Sequence, residues 1–110
     1  MIEKTHNIRS KKYTQAAEGQ TCIRCGSMHG VCLAHYTGQR QHQYGKGRGI
    51  KGHDVIGADL CSGGDNTCHE YFDQYKWKDD GLTEDQASEE FLHLCALTLV
   101  RRVQHGVVKV

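Results

Sequence analysis

The sequence predicts a small α+β domain with two short strands and a long C-terminal helix. Three observations carry that prediction. Cysteines come in two clusters, Cys22/Cys25 and Cys61/Cys68. Short apolar runs of strand type, residues 31–36 and 54–61, flank a glycine-rich stretch. A helical apolar pattern opens on Thr83-Glu84-Asp85-Gln86 and continues to about residue 105. With 110 residues and 37% apolar content, the chain has a limited core, and domains of this size often rely on a metal.

Taken in order, residues 1–20 are polar and basic (Lys4, Arg9, Lys11, Lys12) and read as an N-terminal arm, extended or with a short helix around residues 13–18. Residues 21–110 read as a single domain. It begins with a hairpin over residues 21–36, in which Cys22-Ile23-Arg24-Cys25-Gly26 is a metal-binding turn and residues 31–36 a strand; Gly26 and Gly30 suit the tight backbone between. Residues 37–53 form a basic loop, with Arg40, Lys46, Arg48 and Lys51 alternating with five glycines, which cannot pack a core by itself. Its glycine spacing fits neither a Walker nor a dinucleotide-binding fingerprint.

Residues 54–61 read as a short buried strand, followed by a helix over residues 68–79 that Gly81 ends. The capping box at Thr83 and Gln86 then starts the long helix, whose core face is Ala87, Phe91, Leu94, Cys95, Leu97, Leu99, Val100 and Val103. Gly106 stops it, and residues 107–110 make a candidate edge strand. Four thiols in two short-loop pairs can close a tetrahedral zinc site, so Cys22, Cys25, Cys61 and Cys68 are the expected ligands of a structural Zn²⁺. Cys32 and Cys95 lie in apolar surroundings and read as core.

The net charge of +1 conceals an asymmetry. Residues 1–53 hold nine Lys/Arg against Glu3 and Glu18, a balance of +7; residues 54–110 hold five against eleven Asp/Glu, a balance of −6. A polyanion would meet the first half, with Arg40, Lys46, Arg48 and Lys51 as candidate phosphate contacts. No signal-peptide pattern and no long apolar stretch occur, so the expectation is a cytoplasmic protein without a membrane partner.

His69 and Asp73 stand four residues apart, on one face of a helix, where they could hold one divalent cation. His35, on a short strand, is the candidate general base, because an imidazole with an ordinary pKa is largely neutral at pH 7. Together Cys22-x-x-Cys25, Leu33-Ala34-His35, Asp54-Val55-Ile56, Cys61 to Cys68-His69-x-x-x-Asp73 and the terminal helix with Gly106-Val107-Val108-Lys109-Val110 resemble the small phage and prophage nucleases of the YbcO type, in the HNH or ββα-metal class. The resemblance covers about residues 20–110.

It implies a zinc-braced ββα-metal (His-Me finger-like) core, with His35 as general base, Asp54 near the class's middle Asn and orienting His35, and His69 and Asp73 holding Mg²⁺ or another divalent ion. Three positions depart from the pattern. Ala34 stands where many such sites have an Asp or His ligand, Asp54 replaces Asn, and Gly63-Gly64-Asp65 expands the second knuckle. Asp59 or His53 could supply the missing ligand. The implied activity is metal-dependent hydrolysis of DNA phosphodiester bonds in phage or prophage recombination or DNA processing, inside a bacterial host cell. The alternative is a non-catalytic zinc-braced nucleic-acid-binding module, and a third option is an accessory that contacts phage recombination proteins. Oligomeric state is left open.

Overall fold

Two four-residue runs build the sheet in the computed structural model, which describes residues 7–110. Strand β1, Cys32–His35, pairs antiparallel with β2, Gly57–Leu60, placing Cys32 opposite Leu60, Ala34 opposite Ala58 and His35 opposite Gly57. Side chains alternate between faces along a strand. Ala34, Ala58 and Leu60 accordingly enter the main core with Phe72, Phe91, Leu94 and Cys95. Leu33, on the other face, meets Tyr13, Ala17, Val55, Val107 and Val108. Gly57 lies where an added Cβ would stand 2.9 Å from Leu33 Cγ, so the register there accepts no side chain without a shift.

The pairing corrects the expected local hairpin. The partner of β1 is not within residues 21–36 but 21 residues further on, after the basic loop. Residues 21–30 fold back instead as a knuckle, with Cys22 N–H donating to Ser27 O (2.7 Å) and Gly26 N–H to Cys22 O (2.9 Å). The strand expected over residues 54–61 is confined to Gly57–Leu60, because Asp54 to Ile56 turn, with Ile56 N–H bonded to His53 O.

Of the N-terminal arm, residues 1–6 lie outside the described residues. Helix α1, Lys11–Gln15, is capped by Ser10, whose hydroxyl accepts from Tyr13 N–H. Tyr13 and Ala17 are buried against Leu33, so this stretch packs on the sheet. The loop is not loose either. It holds a 3-10 turn over Gln41–Tyr44 and an isolated bridge between Gly47 and Ile50. Residues 7–9 strap it down: Asn7 Nδ2 donates to Gly45 O and Lys51 O, and Arg9 to Gly52 O (2.5 Å) and Lys51 O (2.6 Å).

Helix α2 spans Cys68–Asp73 and ends six residues before the expected residue 79. Tyr75 takes left-handed backbone (φ 57°), which breaks the helix and starts a 3-10 turn over Lys76–Lys78 that buries Trp77. Helix α3, Glu84–Gln104, carries the expected capping box: Thr83 Oγ1 accepts from Gln86 N–H and Gln86 Oε1 from Thr83 N–H. Ala87, Phe91, Leu94 and Cys95 are buried as expected, and Phe91 stacks on Phe72 at 4.5 Å. Leu97, Leu99 and Val100 are exposed instead, a correction to the predicted core face.

The chain end is no strand. Gly106 adopts φ 74°, Val107 N–H donates to Arg102 O and Gly106 N–H to Val103 O, a Schellman closure that folds Val107 and Val108 onto Leu33. Behind it lies a feature hidden in the apolar reading of β2. Asp59, fully buried, accepts from Arg102 Nη1 (2.7 Å) and Nη2 (2.5 Å) and from Arg101 Nη1 (3.1 Å). Arg102 Nε also donates to Tyr13 O (2.9 Å), and Arg101 Nη1 to Thr21 O (2.7 Å), so one ion cluster ties α1, β2, α3 and the knuckle together.

Candidate metal centre and histidine–aspartate pair

The knuckle delivers Cys22 and Cys25; the exit of β2 and the start of α2 deliver Cys61 and Cys68. Their sulfurs all lie within 4.8 Å of one another, and Cys25 Sγ is 3.7 Å from Cys61 Sγ. A tetrahedral zinc with Zn–S bonds near 2.3 Å needs sulfurs about 3.8 Å apart; the Cys25–Cys61 pair already has that spacing, and the wider pairs need only draw in slightly to close the site. Among the described residues this is the one group of three or more His, Cys, Asp or Glu that could hold a metal.

The surroundings treat the thiols unequally. Burial opposes ionisation of Cys22, but backbone N–H groups of Cys25, Cys61 and Arg24 outweigh it and bring the thiol down to about 7. Burial pushes the Cys61 and Cys68 thiols up, so without a cation the cluster cannot carry four negative charges. Cys68 N–H donates to Cys61 Sγ (3.3 Å) and Arg24 Nη1 to Cys68 Sγ (3.4 Å). Arg24 lies inside the first cysteine pair and stacks on the Tyr71 ring at 3.9 Å, placing a cation beside the anionic donors. Cys32 and Cys95 stay outside the cluster. Cys95 is buried, while half-buried Cys32 donates to Ser62 Oγ (3.4 Å).

At the opposite end of the sheet, His35 closes β1 and its Nε2 lies 2.7 Å from Asp54 Oδ1. A carboxylate only accepts, so Nε2 carries the hydrogen and Nδ1 keeps its lone pair. Asp54 is held from its other side by Ser10 N–H on Oδ2 (2.6 Å), with Arg9 Nη1 3.5 Å from Oδ1. Burial alone would raise the Asp54 carboxyl; the hydrogen bonds from His35 and Ser10 and the charges of His35 and Arg9 outweigh it and hold it below the usual carboxylate range. Ser10 and Arg9 were not legible as partners, because only the folding back of residues 7–10 brings them here.

A pH consequence follows. Because the folded value is depressed, the stability Asp54 contributes is fully present above its unfolded value, about 3.9, and is lost as pH falls through the folded value. The gap in urea stability between the wild type and Asp54→Asn is therefore expected to be constant near neutrality and to close below about pH 4. A gap that widens on acidification would contradict it.

His69 and Asp73 lie four residues apart on α2, His69 half-buried and Asp73 exposed. His69 N–H donates to Cys61 O, which anchors it beside the cysteine centre. Among the described residues no hydrogen bond or ligand cluster joins either side chain to His35 or Asp54. His35 projects to the Leu33 face, whereas α2 packs through Cys68 and Phe72 into the core on the Ala34 face. The two expected replacement ligands are committed elsewhere: Asp59 to the arginines, and His53 Nδ1 to Ile8 N–H (2.9 Å). Arg101 and Arg102, which near the helix end could have gripped phosphate, serve Asp59 instead.

Of the loop residues, Arg40, Arg48 and Lys51 are exposed and Lys46 is half-buried. Among the described residues no helix is long and apolar enough to cross a membrane. No family model, curated protein or solved structure matches this chain.

Proposed function

We propose that the domain is an HNH-like, metal-dependent endonuclease that hydrolyses DNA phosphodiester bonds, serving phage or prophage DNA processing in a bacterial cell. The observation that supports this reading most directly is the 2.7 Å bond between His35 and Asp54 at the end of β1. A general base needs a fixed ring with one nitrogen free, and Asp54 supplies the fixing while leaving Nδ1 available. Nδ1 takes the proton of the attacking water, and the Asp54 carboxylate stabilises the imidazolium that results. The loop carrying Arg40, Lys46, Arg48 and Lys51 joins the two residues of the pair in sequence, and its cations are the candidate contacts for a DNA backbone. The resemblance implies His69 and Asp73 as the side chains that would hold Mg²⁺ or another divalent ion, but they stand apart from His35, so an ion there would reach the phosphate attacked at His35 only after a rearrangement of α2. The four-cysteine centre, filled by zinc, would brace the scaffold.

Cleavage of supercoiled, linear and branched DNA with Mg²⁺, Mn²⁺ or EDTA tests the reading. His35→Ala is expected to slow cutting by about 10²–10⁴-fold. Asp54→Ala should lose more than Asp54→Asn, whose amide oxygen still accepts from Nε2. Equal residual nicking by the wild type and His35→Ala would rule out His35 as the base.

The separation of His69 and Asp73 from His35 favours a second reading, a zinc-braced nucleic-acid-binding module without catalysis. Salt-sensitive DNA binding in EDTA that survives a His35→Ala/His69→Ala double change, with no cutting under any metal, would select it.

A further inference from the structure

Five of the six arginines are engaged within the protein. Arg9 holds loop carbonyls, Arg24 lies against Cys68 Sγ and the Tyr71 ring, Arg40 reaches Gln43, and Arg101 and Arg102 serve Asp59. Arg48 is the exception. It is exposed, and among the described residues its side chain makes no hydrogen bond and no ion pair.

The segment that carries it is a braced finger. At the root, beside Asp54, His53 N–H donates to Tyr44 O (3.0 Å). Asn7 Nδ2 bridges the two sides through Gly45 O and Lys51 O. At the tip Gly47 N–H donates to Ile50 O (3.1 Å) and Ile50 N–H to Gly47 O (3.0 Å), which leaves Arg48 and Gly49 as a two-residue turn. Gly49 takes φ 68°, a left-handed backbone that glycine enters without strain. Gly47 and Gly49 put no side chain on either side of Arg48. Ile50 is 53% exposed and lies over Gly47, where an added Cβ would stand 3.5 Å from its Cδ1.

Charge around the finger selects its partner. No Asp or Glu occurs between Glu18 and Asp54, and Lys46 and Lys51 flank the turn, so a polyanion is favoured. The shape of the tip selects the place on that polyanion. A guanidinium is less strongly hydrated than an ammonium, and a slim, glycine-sided tip suits a groove about 6 Å wide. In A·T-rich duplexes that groove is narrower and more negative, and it draws arginine in. The major groove, about 12 Å wide, takes a helix or a two-stranded ribbon with its side chains and is not filled by one arginine on a two-residue turn.

We propose that Arg48 enters the minor groove of A·T-rich duplex DNA, with Ile50 against the apolar sugar wall and Lys46 and Lys51 on flanking phosphates. The inference rests on the DNA-binding part of the proposed function and uses neither His35 nor catalysis. It adds a base preference to a loop otherwise expected to hold the backbone alone.

Fluorescence anisotropy of the full-length zinc-loaded protein, without added magnesium, on three duplexes of equal length tests it. These are an A·T tract, a G·C sequence and an inosine·cytosine copy of the latter. Inosine·cytosine keeps the major-groove face of G·C but, lacking the guanine 2-amino group, has the minor-groove face of A·T. The A·T and inosine duplexes are expected to bind alike, and about tenfold more tightly than G·C. Arg48→Lys keeps the charge and should bring all three within about twofold of one another. Lys51→Gln removes a charge beside the turn and should weaken all three by a common factor. An inosine duplex that binds like G·C overturns the inference. So does an Arg48→Lys protein that keeps the full preference, or a Lys51→Gln protein that loses it. Equal affinity of the wild type for all three overturns it while leaving DNA binding in place; no binding to any of them overturns both.

Discussion

Changing Asp59 to Ala is expected to remove about 3–5 kcal/mol of folding stability and to lower Tm by more than about 10 °C. The acid sits in the middle of β2 with no solvent contact and is held by both Nη atoms of Arg102, itself 1% exposed. Removing the carboxylate leaves a guanidinium in the interior with nothing to balance it, and water cannot reach in to compensate. Arg102→Met should also be damaging, because it leaves the buried carboxylate with Arg101 Nη1 as its one charged partner and releases Tyr13 O. Pairing Asp59→Ala with Arg102→Met is expected to recover part of the loss, since each single change carries the desolvation of an orphaned charge that the double change lacks. Urea denaturation of the four proteins measures the coupling. A loss under about 1 kcal/mol for either single change would show that the cluster is dispensable.

A larger effect is expected at the cysteines. One zinc should be held per chain, and Cys22→Ser or Cys68→Ser should lose both the ion and the cooperative fold. Zinc bound to four thiolates contributes apparent free energies of about 10–16 kcal/mol in small domains, more than the whole stability of most of them. Here the ligands join the knuckle to the end of β2 and the start of α2, and Cys22, Cys61 and Cys68 also fill the main core. Metal analysis of the purified protein, with near-ultraviolet circular dichroism before and after chelation, reads both quantities. A zinc-free protein with unchanged tertiary signal and melting would refute the assignment.

The sequence spoke clearly where chemistry is local. Cysteine spacing pointed to the four ligands, and the Thr83–Gln86 box located the start of α3 to the residue. It also offered Asp54 as the partner of His35 through the resemblance. It was silent where distant segments decide. Helical spacing carried α2 on to residue 79, yet burial of Trp77 needs the left-handed turn at Tyr75, which periodicity does not encode. Residues 107–110 are strand-formers by type, but the Schellman closure at Gly106 and contact with Leu33 claim them. Asp59 reads as a substitute for the ligand missing at Ala34, because the arginines that claim it lie 42 and 43 residues away. Likewise the glycine-rich loop reads as mobile until Asn7 and Arg9 are seen tying it down.

The bond from Arg102 Nε to Tyr13 O spans 89 positions of the chain. During synthesis, α1 must therefore wait beside an unfinished sheet until nearly all of α3 has left the ribosome. Tyr13, Ala17 and Leu33 are apolar surfaces without their cover throughout that interval, and that is when a helper or an aggregate would capture the nascent chain. Chains ending before Arg102, held on the ribosome by a linker long enough to span the exit tunnel, should be far more protease-sensitive than chains carrying residues 1–110 on the same linker.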